Sequence, residues 1–266
     1  MKNLRYFLLF LVTLLTGCVS MNIPMPINTP LFEKKNEVEI EAGASTNSIF
    51  AAVNYAFTNK YAFIANGSMS FRNFSKWYDL SYKVGDEYQG SGGGGNWFDL
   101  SELFNNDNPY KHRSVEAGFG RYNILNINKL LFLEAFAGAS YGDAKIIDNE
   151  YYKFDSWHAL GFVQANFGLK LKNILECGFS TRFQYSYLEG KQTYLMDTQS
   201  EIKKFNINAF HWQQFGFCKI GNKHIKGVVR LGINIPLYSE NKTVKTNGLG
   251  YGYTLLHFSI GMNCSF

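Results

Sequence analysis

Along most of the chain, apolar and polar side chains alternate one for one. From Leu256 to Phe266, one parity carries Leu256, Phe258, Ile260, Met262, Cys264 and Phe266, and the other His257, Ser259, Gly261, Asn263 and Ser265. Successive side chains of a strand point to opposite faces, so the segment Tyr251–Phe266 reads as a strand with one apolar and one small, polar face. The same period runs through Glu37–Thr46, Ile49–Thr58, Tyr61–Phe71, Ser114–Asn123, Leu130–Tyr141, Ser156–Lys170, Ile174–Leu188, Phe210–Ile220 and Ile225–Leu237. Ten strands are predicted, an even number that leaves both ends of the sheet on one side.

The connections sort by length. Those after strands two, four, six and eight are short, among them the tight turn Thr58-Asn59-Lys60 and the connection Gly221-Asn222-Lys223. Those after strands three, five, seven and nine are long, at about 72–113, 142–155, 189–209 and 238–250. The first outer connection, Thr46-Asn47-Ser48, is short and departs from the rule. Short turns on one side and long loops on the other describe a bacterial membrane barrel, apolar toward lipid and polar toward its lumen. The predicted fold class is therefore all-β, a transmembrane antiparallel up-and-down barrel of about ten strands spanning 37–266.

The beginning of the chain points to export. Lys2 and Arg5 precede an apolar run from Tyr6 to Leu15, too short to span a bilayer and ordered like a secretory signal. Leu15-Thr16-Gly17-Cys18 resembles a lipobox, which implies a signal peptide over 1–17 and a lipidated Cys18. Residues 18–36 hold three of the five prolines and no alternation, and read as a periplasmic leader. The run Pro26-Ile27-Asn28-Thr29-Pro30-Leu31-Phe32-Glu33-Lys34-Lys35-Asn36-Glu37-Val38, with Phe162–Gly168 and Cys177–Arg182 further on, resembles a group of Gram-negative outer-membrane barrel lipoproteins. That resemblance implies the cell outer membrane and brings no activity with it. A final strand ending on Phe266 is similar to the terminal strand of outer-membrane barrels, where it serves as the assembly signal.

Composition narrows the partners. The formal net charge of +5 falls by two once Lys2 and Arg5 leave, too mild a balance for nucleic acid. Aromatics make up 17% of the chain, as lipid-facing strands with interfacial girdles require. Membrane lipid is the expected partner and a monomer the expected state. Past Cys18 only Cys177, Cys218 and Cys264 remain, an odd set with no zinc spacing, read as small lipid-facing residues.

Candidate chemistry follows from parity. Glu116, Glu134, Glu176, Gln164, Arg182 and Arg230 fall on the lumen side. Ten strands lie near the size at which side chains fill the interior, well below the 16–18 of an aqueous channel. Glu116, Glu134, Arg182 and Arg230 lie at similar counts from the short turns, so a mutually neutralising plug is expected; a gate for a small polar solute is the alternative. His257 and Ser259 share the lumen face, an arrangement that resembles the His-x-Ser pair of lipid A deacylases. A satisfied interior histidine is the preferred reading and no enzyme is expected. The scattered histidines show no metal spacing, and Gly90–Gly95 lacks the Lys-Ser/Thr of a phosphate loop, so neither metal nor cofactor is expected. Around that glycine run, Trp77, Tyr78, Tyr82, Trp97 and Phe98 are candidates for meeting a surface ligand or protein.

Overall fold

The structure is a computed structural model and describes residues 25–45, 48–70, 110–125, 130–148, 152–171, 174–196, 199–239 and 256–266. Ten strands close into one antiparallel barrel: β1 Val38–Ser45, β2 Ser48–Tyr55, β3 Tyr61–Ser70, β4 Tyr110–Ile124, β5 Leu131–Asp148, β6 Tyr152–Leu171, β7 Leu175–Met196, β8 Gln199–Gly221, β9 Ile225–Ser239 and β10 Leu256–Ser265. Each strand pairs with its sequence neighbour, and β10 closes on β1 through pairs such as Ile40↔Cys264 and Ala44↔Ile260. Beyond the last ladder pair, Val38 and Phe266 exchange both backbone hydrogen bonds, at 3.0 and 3.3 Å.

The barrel is inverted relative to a water-soluble protein. Outward positions carry exposed Val53, Phe63, Val115, Phe119, Val163 and Phe179, whereas inward positions bury Glu41, Asn54, Glu116, Asn166, Arg182 and Arg230. A continuous apolar exterior is stable only against hydrocarbon, and closure leaves no unpaired backbone edge to lipid. Aromatic stacks mark both boundaries. Tyr61 and Phe57 lie against Phe119 at the short-turn end, while Tyr141, Trp157 and Tyr187 form a run toward the other.

Two of the connections read as loops are strand. β5 and β6 pair through 142–148 and 152–155, down to Asp148↔Tyr152, and β7 and β8 pair through 189–196 and 199–209, down to Met196↔Gln199. In these hairpins charged and apolar residues fall on the same parity, Lys145 with Ile147 and Lys203 with Ile207, so period two is lost. Of the other long connections, 72–109 and 240–250 lie outside the described residues, and with them Trp77, Tyr78, Tyr82, Trp97 and Phe98. Cys18 lies outside them as well.

The larger correction concerns the leader. Residues 25–32 are all buried, and their hydrogen bonds and packing run to inward side chains of the barrel wall; they occupy the lumen instead of the periplasm. Lack of alternation reports only that a segment is not a half-buried strand. A lumen segment that meets amides at Pro26 and Asn28 and apolar side chains at Leu31 and Phe32 needs no alternation either.

Candidate functional site

The lumen is the site, and its occupant is the chain's own N-terminal segment. Asn66 on β3 donates from its amide to the Pro26 carbonyl at 2.8 Å. The side-chain amides of Gln164 and Asn166, two residues apart on β6, both donate to the Asn28 carbonyl, at 2.7 and 3.0 Å. The Phe32 N–H donates to Glu134 Oε1 at 3.0 Å, while Asn166 holds Glu134 Oε2 at 2.9 Å. An extended segment without secondary structure leaves its backbone groups orphaned, and these inward amides and carboxylate satisfy them.

Apolar anchors fix the depth of the segment. Phe32 packs with Ala56, Ala62, Ile64, Tyr122, Phe136 and Phe162, its ring 5.5 Å from that of Tyr122. Leu31 is fully buried against Phe132 and Phe217. Its φ of 58° is a conformation that branched side chains avoid, held here by the packing around it. Gly168 makes the seat: a Cβ there would lie 2.5 Å from both Leu31 methyls. Asn36, at φ 64°, turns the chain into β1 and donates its N–H to the Ala56 carbonyl.

Charges fill the remaining space in matched groups. Arg182 donates to both oxygens of Glu116, at 2.6 and 2.9 Å, and to Gln164 Oε1 at 3.1 and 2.5 Å; its guanidinium lies 4.2 Å over the Phe162 ring. Arg230 on β9 grips both oxygens of Glu41 on β1 and reaches Thr29 of the lumen segment at 3.3 Å. Near the short-turn end, Lys219 pairs with Glu39 at 2.8 Å, Lys226 with Glu176 at 2.6 Å, and Lys170 with Glu33 at 2.9 Å and Glu176 at 3.4 Å. Each buried charge in these groups has an opposite charge at bonding distance, the condition under which burial of ions is tolerated.

All four lumen charges named from sequence point inward, but they do not form one network. Glu116 and Arg182 are a pair; Arg230 is paired instead with Glu41, and Glu134 takes no ion pair among the described residues and holds the lumen segment. Counting from the turns misjudged their height because tilted strands offset equal counts around the barrel. Glu39 and Glu41 were visible as the polar face of β1, and their partners Lys219 and Arg230 share the inward parity of β8 and β9. Lys170, Lys219 and Lys226 carry no such signal, because basic residues beside short turns ordinarily face water.

His257 and Ser259 are both buried in the lumen. The His257 ring sits edge-on to Phe215, centroids 5.2 Å apart. The Ser259 hydroxyl takes no hydrogen-bond partner among the described residues. The carboxylates of Glu116 and Glu134 are engaged elsewhere. No cluster of three or more metal-ligating side chains exists among the described residues.

The chain matches no protein-family model and no curated protein. Among solved structures it is similar to the outer membrane protease OmpT from Escherichia coli, at TM-score 0.48 and 10% identity over 90% of this chain and 99% of that one. Weaker likenesses are the N-terminal β-barrel domain of Pseudomonas aeruginosa OprF, at TM-score 0.29 and 10% identity over 87% and 98%, and the KdgM porin, at 0.30 and 9% over 86% and 99%. A protease and a porin among such distant neighbours say nothing of activity. Strand pairing and the inverted faces decide the class. The chain is an outer-membrane β-barrel. Lipid is accordingly what its exterior touches.

Proposed function

We propose that this barrel is a closed, non-enzymatic membrane scaffold whose lumen is stoppered by its own residues 25–32, and that its role lies in what its outer surface meets. The observation that carries the reading is the set of bonds from Asn66, Gln164, Asn166, Glu134 and Arg230 to that segment. A solute path would need a continuous hydrated column. Here the middle of the lumen holds backbone, Phe32 and Leu31, flanked by Arg182 and Arg230, both almost wholly buried.

The test is conductance of the refolded full-length chain in a planar bilayer, beside a variant lacking residues 25–32 and a Gly168→Val variant that displaces Leu31. Silence in the parent with steady current in either variant supports a stopper. Steady small-ion current in the parent overturns it and makes the lumen a narrow conduit. Heat-modifiable gel migration identifies the variants that fold.

A further inference from the structure

On the lipid-facing side of β7 and β8, the geometry points to a modification site: a disulfide between Cys177 and Cys218, made before the barrel enters the membrane. The two residues are direct cross-strand partners. Both are half-buried thiols on the outward parity, since their neighbours Glu176 and Lys219 turn inward. Antiparallel partners alternate between pairs that exchange backbone hydrogen bonds, about 5.5 Å apart at Cα, and pairs that exchange none, about 4.5 Å apart. The end of this ladder fixes the phase. The Gly221 N–H donates to the Ile174 carbonyl at 2.9 Å, so Ile174 and Gly221, one step beyond Leu175↔Ile220, are a bonded pair. Counting along the ladder, Leu175 with Ile220 is unbonded, Glu176 with Lys219 bonded, and Cys177 with Cys218 unbonded. Further on, Thr181 and Gln214 fall on the same unbonded phase, and their side chains meet directly at 2.8 Å. Unbonded partners bring their side chains closest together, and about 4.5 Å lies within the roughly 4.4–6.8 Å that a disulfide spans at Cα.

The third cysteine of the barrel is out of reach. Across β6 and β9 the pair faces Leu169 and Val229. Cys264 on β10 lies opposite Ile40 and Ile225. It stands two strand spacings from Cys218, about 9.6 Å, and is displaced along the strands from Val229 to Ile225 besides, past the roughly 7 Å limit between bridged Cα atoms. An outer-membrane protein is assembled from an oxidising compartment. There the Cys177 thiolate attacks the disulfide of a thiol–disulfide oxidoreductase, and one carrier sulfur leaves as a thiol. The Cys218 thiolate then attacks the mixed disulfide, joining Cys218 to Cys177 and releasing the second carrier thiol. Two thiols of the chain are oxidised, and the carrier disulfide is reduced to two thiols that take up both protons. Once the wall faces hydrocarbon a soluble carrier has no access, so the exchange precedes insertion. The bridge closes the hairpin from Gly178 to Phe217 at its short-turn end. It also fixes the register, because a slip by one residue sets Cys177 against Phe217 or Lys219.

The test is differential alkylation of the full chain, purified from outer membranes of cells with an active periplasmic thiol oxidase. The protein is denatured in maleimide without reductant, then reduced, alkylated again with iodoacetamide and read by peptide mass spectrometry. Cys264 should carry maleimide, whereas Cys177 and Cys218 should carry only the second label. The unreduced digest should contain the Cys177 and Cys218 peptides joined, two hydrogens lighter than their sum. Cys264→Ser should keep that joined peptide, and Cys177→Ser should move Cys218 into the maleimide fraction. Maleimide on both Cys177 and Cys218 of the parent would overturn the site, as would a joined peptide containing Cys264. The deciding measurement is made on the parent, so it holds even where a serine variant fails the heat-shift test of folding.

Discussion

Replacing Arg182 with methionine removes a charge from the most completely bonded ion pair in the lumen while keeping most of its volume. The side chains of Arg182 and Glu116 are 2% and 1% exposed, so water does not screen them. The change deletes two bonds to the carboxylate and two to Gln164 Oε1, and leaves Glu116 charged and uncompensated. Breaking a buried pair in this way costs about 3–5 kcal/mol. Changing both members, Arg182→Met with Glu116→Gln, leaves no bare charge and should cost about 1 kcal/mol or less. The double variant should then be about 2–4 kcal/mol more stable than Arg182→Met alone, far above the roughly 0.5 kcal/mol scatter of independent sites. Reversible urea unfolding in lipid vesicles, followed by tryptophan fluorescence, measures it. With a slope of about 1–3 kcal/mol per molar urea, the single variant should lower the midpoint by at least about 1 M and the double variant should recover most of that. Additive losses, or a single-variant loss below about 1 kcal/mol, would mean that water reaches the pair and that the lumen is hydrated.

Two further outcomes are expected. Phe266 is 71% exposed on the lipid-facing register while Ser265 is on the other parity, so Phe266→Asp should lower outer-membrane levels far more than Ser265→Asp; comparable levels would refute the register. Labelled palmitate should enter the chain only with Cys18 present, and equal labelling of Cys18→Ala would dismiss the lipid anchor.

The fold was legible because a barrel in lipid imposes period two over most of its length, and both faces have unambiguous chemistry. The predicted core of every strand from Glu37 to Phe266 lies on an observed one, and the parity of Glu116, Arg182 and Arg230 is the parity of the barrel. Legibility failed where polar and apolar residues share one parity. In the hairpins through 142–155 and 189–209 charged and apolar residues share a parity, Lys145 with Ile147 and Lys203 with Ile207, so no alternation can be read. Residues 25–32 fail for another reason: their surroundings are mixed, amides around Pro26 and Asn28 and apolar side chains around Leu31 and Phe32. The bonds of Asn28 and Phe32 to Gln164, Asn166 and Glu134 join positions more than a hundred residues apart, which no local pattern encodes.

The placement of the charges bears on how the barrel holds its seam. β1 and β10 meet at the seam with no hairpin joining them. The cations that answer Glu39 and Glu41 of β1 are Lys219 on β8 and Arg230 on β9, so both pairs reach across β10 from inside. Thr29 joins the second of these pairs, which ties the lumen segment to the seam. Glu39 and Glu41 meet these partners only after β1 has docked, and until then both carboxylates lack their cations. A buried charge without its partner is strongly unfavourable and a matched pair is tolerated, so the closed, stoppered barrel is the state in which all of these groups are satisfied together. An open seam with the segment withdrawn would expose Glu39, Glu41, Lys219 and Arg230 at once. Closure of the sheet and seating of residues 25–32 are thus two parts of one electrostatic requirement.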